Sequence, residues 1–168
     1  MFKRTVIFLL CVLPMFAMAE NKFGHVNSQE LIMAMPEMAG IQQTLSELET
    51  EWENVLLSMR EEYFSKFRDY QERRATMPES IREMRESELM DLEQRITAFQ
   101  QTATADLQRR QQELLAPVIE KVRLAIRDVG IENELIYIFD MAAQSIVFHS
   151  PTKAKDVTAL VKTKLGIR

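Results

Sequence analysis

Between Pro36 and Pro117 the apolar residues fall at Met38, Ile41, Leu45, Leu48, Trp52, Val55 and Met59, then at Tyr63, Phe67 and Tyr70. Steps that alternate between three and four make the narrow seam of a coiled-coil helix, not a broad core face. Two successive steps of four, from Met59 through Tyr63 to Phe67, shift the phase of that seam without ending the helix. The pattern stops once, at Thr76-Met77-Pro78-Glu79, and resumes at Ile81, Met84, Leu89, Leu92, Ile96, Phe99, Ala103, Leu107, Leu114 and Val118. Pro78 cannot continue the first helix but suits the first turn of a second, where Glu79 favours the positive helix end. The stretch therefore predicts an antiparallel helical hairpin, with arms of roughly 40 residues and about 60 Å at 1.5 Å per residue. Having no second layer to lie on, such a hairpin is expected to project from whatever body the remaining residues form.

Those residues lie on both sides of it. Lys22-Phe23-Gly24-His25-Val26 alternates apolar and polar and reads as a strand. Asn27, with Glu30 three residues on, resembles a capping box for a short helix through Leu31, Ile32, Ala34 and Met35, which Pro36 ends. At the far end Pro117 is expected to bend the descending helix near Ala116, in preference to breaking it in two, and Gly130 suits a helix stop. Glu134 to Phe139 is rich in branched and aromatic residues and reads as a strand, as does Ser145 to His149. The short link from Asp140 to Gln144 makes these two antiparallel neighbours. Val157, Leu160, Val161 and Leu165 form the face of a last short helix.

The resulting fold class is mostly α with a small β body. Residues 20–36 and 118–168 form the body, and residues 37–117 form the coiled-coil arm with its tip near 76–79. A body of roughly 60 to 70 residues is near the size at which a domain needs metals, disulfides or oligomerisation. The first two lack residues here, so oligomerisation is expected, with Phe23, Val26, Ile136, Ile138 and Val147 as candidate contacts.

Composition adds an address. Lys3-Arg4, an apolar run from Val6 to Phe16 and Ala17-Met18-Ala19 have the form of a signal peptide over residues 1–19, with Glu20 as the mature start. The run is too short to span a bilayer, and Phe8-Leu9-Leu10 before Cys11 does not suit lipid attachment. Cleavage would remove the only cysteine and take the net charge from −4 to −6, so disulfides drop out and attraction to nucleic acid is not expected. His25 and His149 have no ligand partners at metal spacing, and phosphate loops and nucleophile motifs are absent, so neither cofactor nor enzymatic activity is expected. Met77 at the tip and Met90 off the seam stand apart from the core methionines, and flexible thioethers on a surface adapt to varied partners.

Several segments together resemble one family. They are Phe23-Gly24-His25-Val26-Asn27-Ser28-Gln29-Glu30, Met35-Pro36-Glu37, the run from Leu114 to Val122 around Pro117, Ala125-Ile126, Tyr137-Ile138-Phe139-Asp140 and Asp156-Val157-Thr158. In order and spacing, with the signal peptide and the charged hairpin, they resemble the Skp/OmpH family of periplasmic chaperones for outer-membrane proteins. The resemblance implies a jellyfish-like homotrimer whose helical arms surround a cavity for unfolded outer-membrane proteins, without ATP or catalysis. Its best-known members are strongly basic, with positive arms suited to lipopolysaccharide or a membrane surface. This chain is acidic, so no residues are carried over for that contact. The competing class is a structural coiled-coil spacer of the cell envelope, which would want a stiff anchored rod where this chain doubles back at Met77-Pro78.

Overall fold

The structure is a computed structural model that describes residues 23–143 and 145–167, so the expected signal peptide and the residue at position 144 lie outside it. In chain order it holds strand β1 (Phe23–Val26), helix α1 (Ser28–Met33), helix α2 (Glu37–Arg73), a 3-10 turn (Arg74–Thr76) and helix α3 (Glu79–Glu132). Strand β2 (Tyr137–Asp140), a second 3-10 turn (Met141–Ala143), strand β3 (Lys155–Asp156) and helix α4 (Thr158–Leu165) follow. Two compact units divide the chain: an arm unit, Met35–Glu120, and a body unit made of the chain up to Ala34 and from Lys121 onward.

In the arm unit, Pro36 stands at the N-terminal boundary of α2 without a side-chain capping hydrogen bond, and the turn at the far end of the helix is built as the sequence predicts. Met77 N donates to Arg73 O at 3.1 Å, and Arg82 N donates to Pro78 O at 3.0 Å as the second helix starts. Side-chain bonds pair Tyr63 with Glu93, Lys66 with Glu88 and Tyr70 with Glu86, so one sequence number falls as the other rises and the helices run antiparallel. Ile41, Leu89, Leu92 and Ala103 are buried along the seam, and Trp52, Leu56, Ala103 and Leu107 line one shallow groove of it. Pro117 lies inside α3, which runs on through it to Glu132.

In the body unit, Asn27 caps α1 by accepting from Glu30 N at 3.1 Å, the capping half that the sequence predicts. The Glu30 carboxylate takes Lys162 of α4 instead, at 2.6 Å. Gly166 ends α4 in the left-handed conformation at φ 71°, with Ile167 N donating back to Lys162 O at 3.0 Å. Val26, Leu31, Val122, Val129, Val157 and Val161 are its fully buried side chains.

The sheet departs from expectation. Its order is β2-β1-β3 and both pairings are parallel, with Phe23 opposite Tyr137 and His25 opposite both Phe139 and Asp156. The antiparallel hairpin is therefore replaced: Ser145 to His149 is not a strand, and the third strand is Lys155–Asp156. Two strands lying parallel on either side of a third need a crossover, which the connection from Met141 to Ala154 supplies and a five-residue hairpin loop could not. Val157 N donates to His25 O at 3.0 Å, prolonging the β3 pairing into α4.

Gly130 does not stop α3, which ends two residues later, with Glu134 at positive φ. The glycine serves close packing instead: a Cβ there would lie 3.2 Å from Ile138 Cδ1. Gly24 is tighter still, since a Cβ would meet Leu135 Cδ1 at 2.9 Å.

Candidate functional surfaces

Two surfaces stand out, one in each unit. The first is the outer half of the arm, where the seam changes character. The sequence assigns Val55, Phe67, Ile81 and Met84 to the seam, but all four are exposed. Their places are taken by Leu56 and, nearer the turn, by Lys66, Arg82 and Arg85, all half-buried. Tyr63 OH donates to Glu93 Oε1 at 2.6 Å, Tyr70 OH donates to Glu86, and Lys66 joins Glu88 across the seam with Glu62 a further 3.6 Å away. Arg85 reaches Glu88 at 2.8 Å while its Nε is buried without a partner. Lys66 and then Arg85 hold the Glu88 carboxyl below its ordinary range, and the bond to Glu93 raises the Tyr63 hydroxyl.

Large apolar side chains lie outside this polar seam. Leu57 is 56% exposed, Phe64 58% and Met90 60%. Tyr63 ties two phenylalanines into a cluster, edge-on to Phe64 at 5.6 Å and stacked on Phe67 at 5.9 Å between centroids.

The second surface is one face of the sheet. Strand alternation turns Gly24 and Val26 inward and leaves Phe23, Tyr137 and Phe139 exposed on the other side. Phe23 stacks on Tyr137 at 6.3 Å, and Tyr137 on Phe139 at 6.0 Å. His25 meets His149 with centroids 4.6 Å apart. Hydrogen bonds from Thr158 hold the Asp156 carboxyl below its usual range, helped by the two imidazoles. Asp140 works against burial in the same direction, through bonds from Ser28 Oγ at 2.5 Å, Ser28 N at 3.1 Å and Ala142 N at 3.0 Å. No cluster of three metal-ligating side chains occurs among the described residues, and no helix among them is long and apolar enough to cross a membrane.

Of the five candidate contacts, Val26 is buried in its own chain and Ile138 half-buried against the glycines, while Phe23, Ile136 and Val147 are exposed. Val147 is 99% exposed and Phe148 beside it 81%, in the segment where the sequence predicts a strand.

The sequence profile of OmpH-like outer membrane proteins matches residues 22–165. The chain belongs to the OmpH-like family. A crystal structure of an OmpH-like protein from Caulobacter crescentus CB15, a proposed outer membrane chaperone, shares the fold with a TM-score of 0.70. It is 13% identical, and the match covers 86% of this chain and 83% of that one. No curated protein sequence matches.

Within this OmpH-like chain, sequence reasoning names Ile136 and Ile138 from the strand at 134–139 as contacts and misses Tyr137 and Phe139 as surface residues. Strict alternation from Phe23, carried across to β2, would find them. It also misses the polar seam, although Tyr63, Lys66 and Tyr70 continue the seven-residue spacing from Leu56 and Met59.

Proposed function

We propose that this OmpH-like chain is an ATP-independent holdase of the periplasm, which keeps unfolded outer-membrane proteins from aggregating by holding them among the arms of a homotrimer. The observation that carries this reading is the outer arm, where the seam is polar and the aromatic residues are turned to solvent. A rod built only to space two structures would bury those side chains in its seam. An unfolded β-barrel strand carries alternating apolar residues and unpaired backbone groups that aggregate with their own kind. Exposed phenylalanines and flexible methionines give such strands many weak contacts, and several arms acting together hold them by multivalency.

The assembly is proposed to form through the sheet. Parallel sheets are ordinarily covered on both faces, so the exposed ladder Phe23, Tyr137 and Phe139 suits contact with another copy. Ser145 to His149, with Val147 and Phe148 outward, is proposed to complete that contact, joined by Ile136. Val26 and Ile138 support it from within the protomer. Export through a signal peptide over residues 1–19 belongs to the same reading.

The test is dilution of a urea-unfolded outer-membrane β-barrel into buffer containing the purified protein and no nucleotide, with light scattering read beside native mass. Suppression that saturates at a fixed ratio of trimer to client is expected. A stable monomer, or scattering equal to the buffer control, would refute the reading.

A further inference from the structure

Leu57, Arg60, Phe64, Phe67 and Arg68 follow one another at steps of three and four, with Phe67 and Arg68 adjacent, so they share one flank of α2. All five are exposed. Helix α2 has four basic residues, and two of them are held by carboxylates: Lys66 by Glu88, and Arg73 by Asp69 at 3.0 Å. Arg60 and Arg68 make no ion pair or side-chain hydrogen bond among the described residues, although Glu72 stands one turn from Arg68. They sit one turn before and one turn after Phe64, the most exposed member of the aromatic cluster that Tyr63 organises.

We infer that this flank is a client-docking strip selective for unfolded polypeptide segments that carry carboxylates beside apolar side chains. The inference rests on the holdase reading and names what its arm prefers. Apolar side chains of the segment cover Phe64, Phe67 and Leu57, while a guanidinium on each side takes a carboxylate in the planar two-pronged geometry open to arginine and not to lysine. The row Arg60, Phe64, Arg68 advances about 6 Å per step along the helix, close to the roughly 6.6 Å between same-side residues of an extended strand. An extended segment therefore meets all three without bending. A uniformly anionic surface such as a lipid bilayer suits the strip less well. The same helix carries Glu47, Glu49, Glu51, Glu53, Glu61 and Glu62, which a flexible chain can avoid and a flat charged surface cannot.

The test uses the full-length protein and two labelled 16-residue peptides with the same valine and phenylalanine residues, arranged so that every second residue reads polar, apolar, polar and one face of the extended chain matches Arg60, Phe64 and Arg68. One has glutamate at the polar positions and the other lysine. Fluorescence anisotropy should show the glutamate peptide binding about tenfold more tightly, the size of one charge-assisted bond. The double change Arg60→Gln with Arg68→Gln should erase the preference, Arg-to-Lys at both should restore part of it, and Phe64→Ala should weaken both peptides with helicity unchanged. Equal binding of the two peptides, or a preference that survives the double Gln change, would overturn the inference. So would phosphatidylglycerol vesicles that bind through the same arginines more tightly than the glutamate peptide. Failure of the unmodified protein to protect an unfolded β-barrel would overturn the holdase reading. Protection left intact by both the double Gln change and Phe64→Ala would overturn this inference alone.

Discussion

Val26, Leu31, Val122, Val129, Val157 and Val161, the fully buried large side chains among the described residues, all lie in the body unit, whereas the buried side chains of the arm unit keep from 2% (Met35) and 3% (Leu92) up to 9% (Ala103) of their surface in solvent. A two-helix seam has one contact line, so each side chain is covered from one direction only. The body surrounds its valines with a sheet and three helical segments. The polar groups follow the same division. In the body, Asp140 closes a compact set of bonds to Ser28 and Ala142. In the outer arm, Lys66, Tyr70, Arg85 and Glu88 stand where apolar residues would otherwise join the helices. The body spends its apolar surface on holding itself together, and the arm leaves Phe64, Phe67 and Met90 for something else.

Substitutions should break that comparison at unequal cost. Val161→Asp places a charge in the most buried position of α4, and an unpaired buried charge costs several kcal/mol, of the order of a small domain's whole stability. The body should unfold, and the proposed trimer should be lost from the native mass. Phe64→Asp, the same charge on the arm, should leave the melting curve unchanged. Fluorescence of Trp52, the single tryptophan, reads the arm separately in both variants.

Acid should act on the body next. The Asp140 carboxyl is held below its ordinary range, so the stability it lends is complete above the unfolded value near pH 4 and is lost as pH falls through the lower folded value. Thermal melts taken downward from pH 5 should fall in that window, and Asp140→Asn should flatten the fall at a cost of about 1 kcal/mol at neutral pH.

The smallest effect belongs to the arm's polar seam. Lys66 and Glu88 each expose about a third of their side chains, at 35% and 33%, so screening by water leaves their pairing a weak contribution to stability. Lys66→Met should shorten hydrogen-exchange protection near the turn slightly, and Lys66→Met with Glu88→Leu should restore or exceed it, because paired apolar residues would suit the seam better. A large loss in the double variant would show that the outer arm depends on its charges.

The arm was legible in the sequence because its signal is long and local. Pro36, the turn at Met77-Pro78 and the recurring threes and fours set its helices, and in the body Asn27 caps α1 by a rule that needs no tertiary context. What failed was non-local or marginal. Val55 and Phe67 looked like seam residues by type, but phase favours Leu56 and Lys66, and a long lysine stem can lie along a seam with its ammonium on a carboxylate. The sheet failed because pairing Phe23 with Tyr137 joins residues on opposite sides of the whole arm. The two-residue strand at Lys155–Asp156 has no apolar signature. Among the candidate contacts, the exposed position of Phe23 and Val147 and the buried position of Val26 depend on which sheet face is covered, which alternation alone does not assign.

The division of labour between body and arm is tested most directly by replacing Glu62 to Arg95 with a short turn and measuring native mass and β-barrel aggregation on the same sample, beside the unmodified chain. The account predicts an unchanged number of chains in the assembly and the loss of protection. A shortened protein that protected the β-barrel as well as the unmodified one would contradict it.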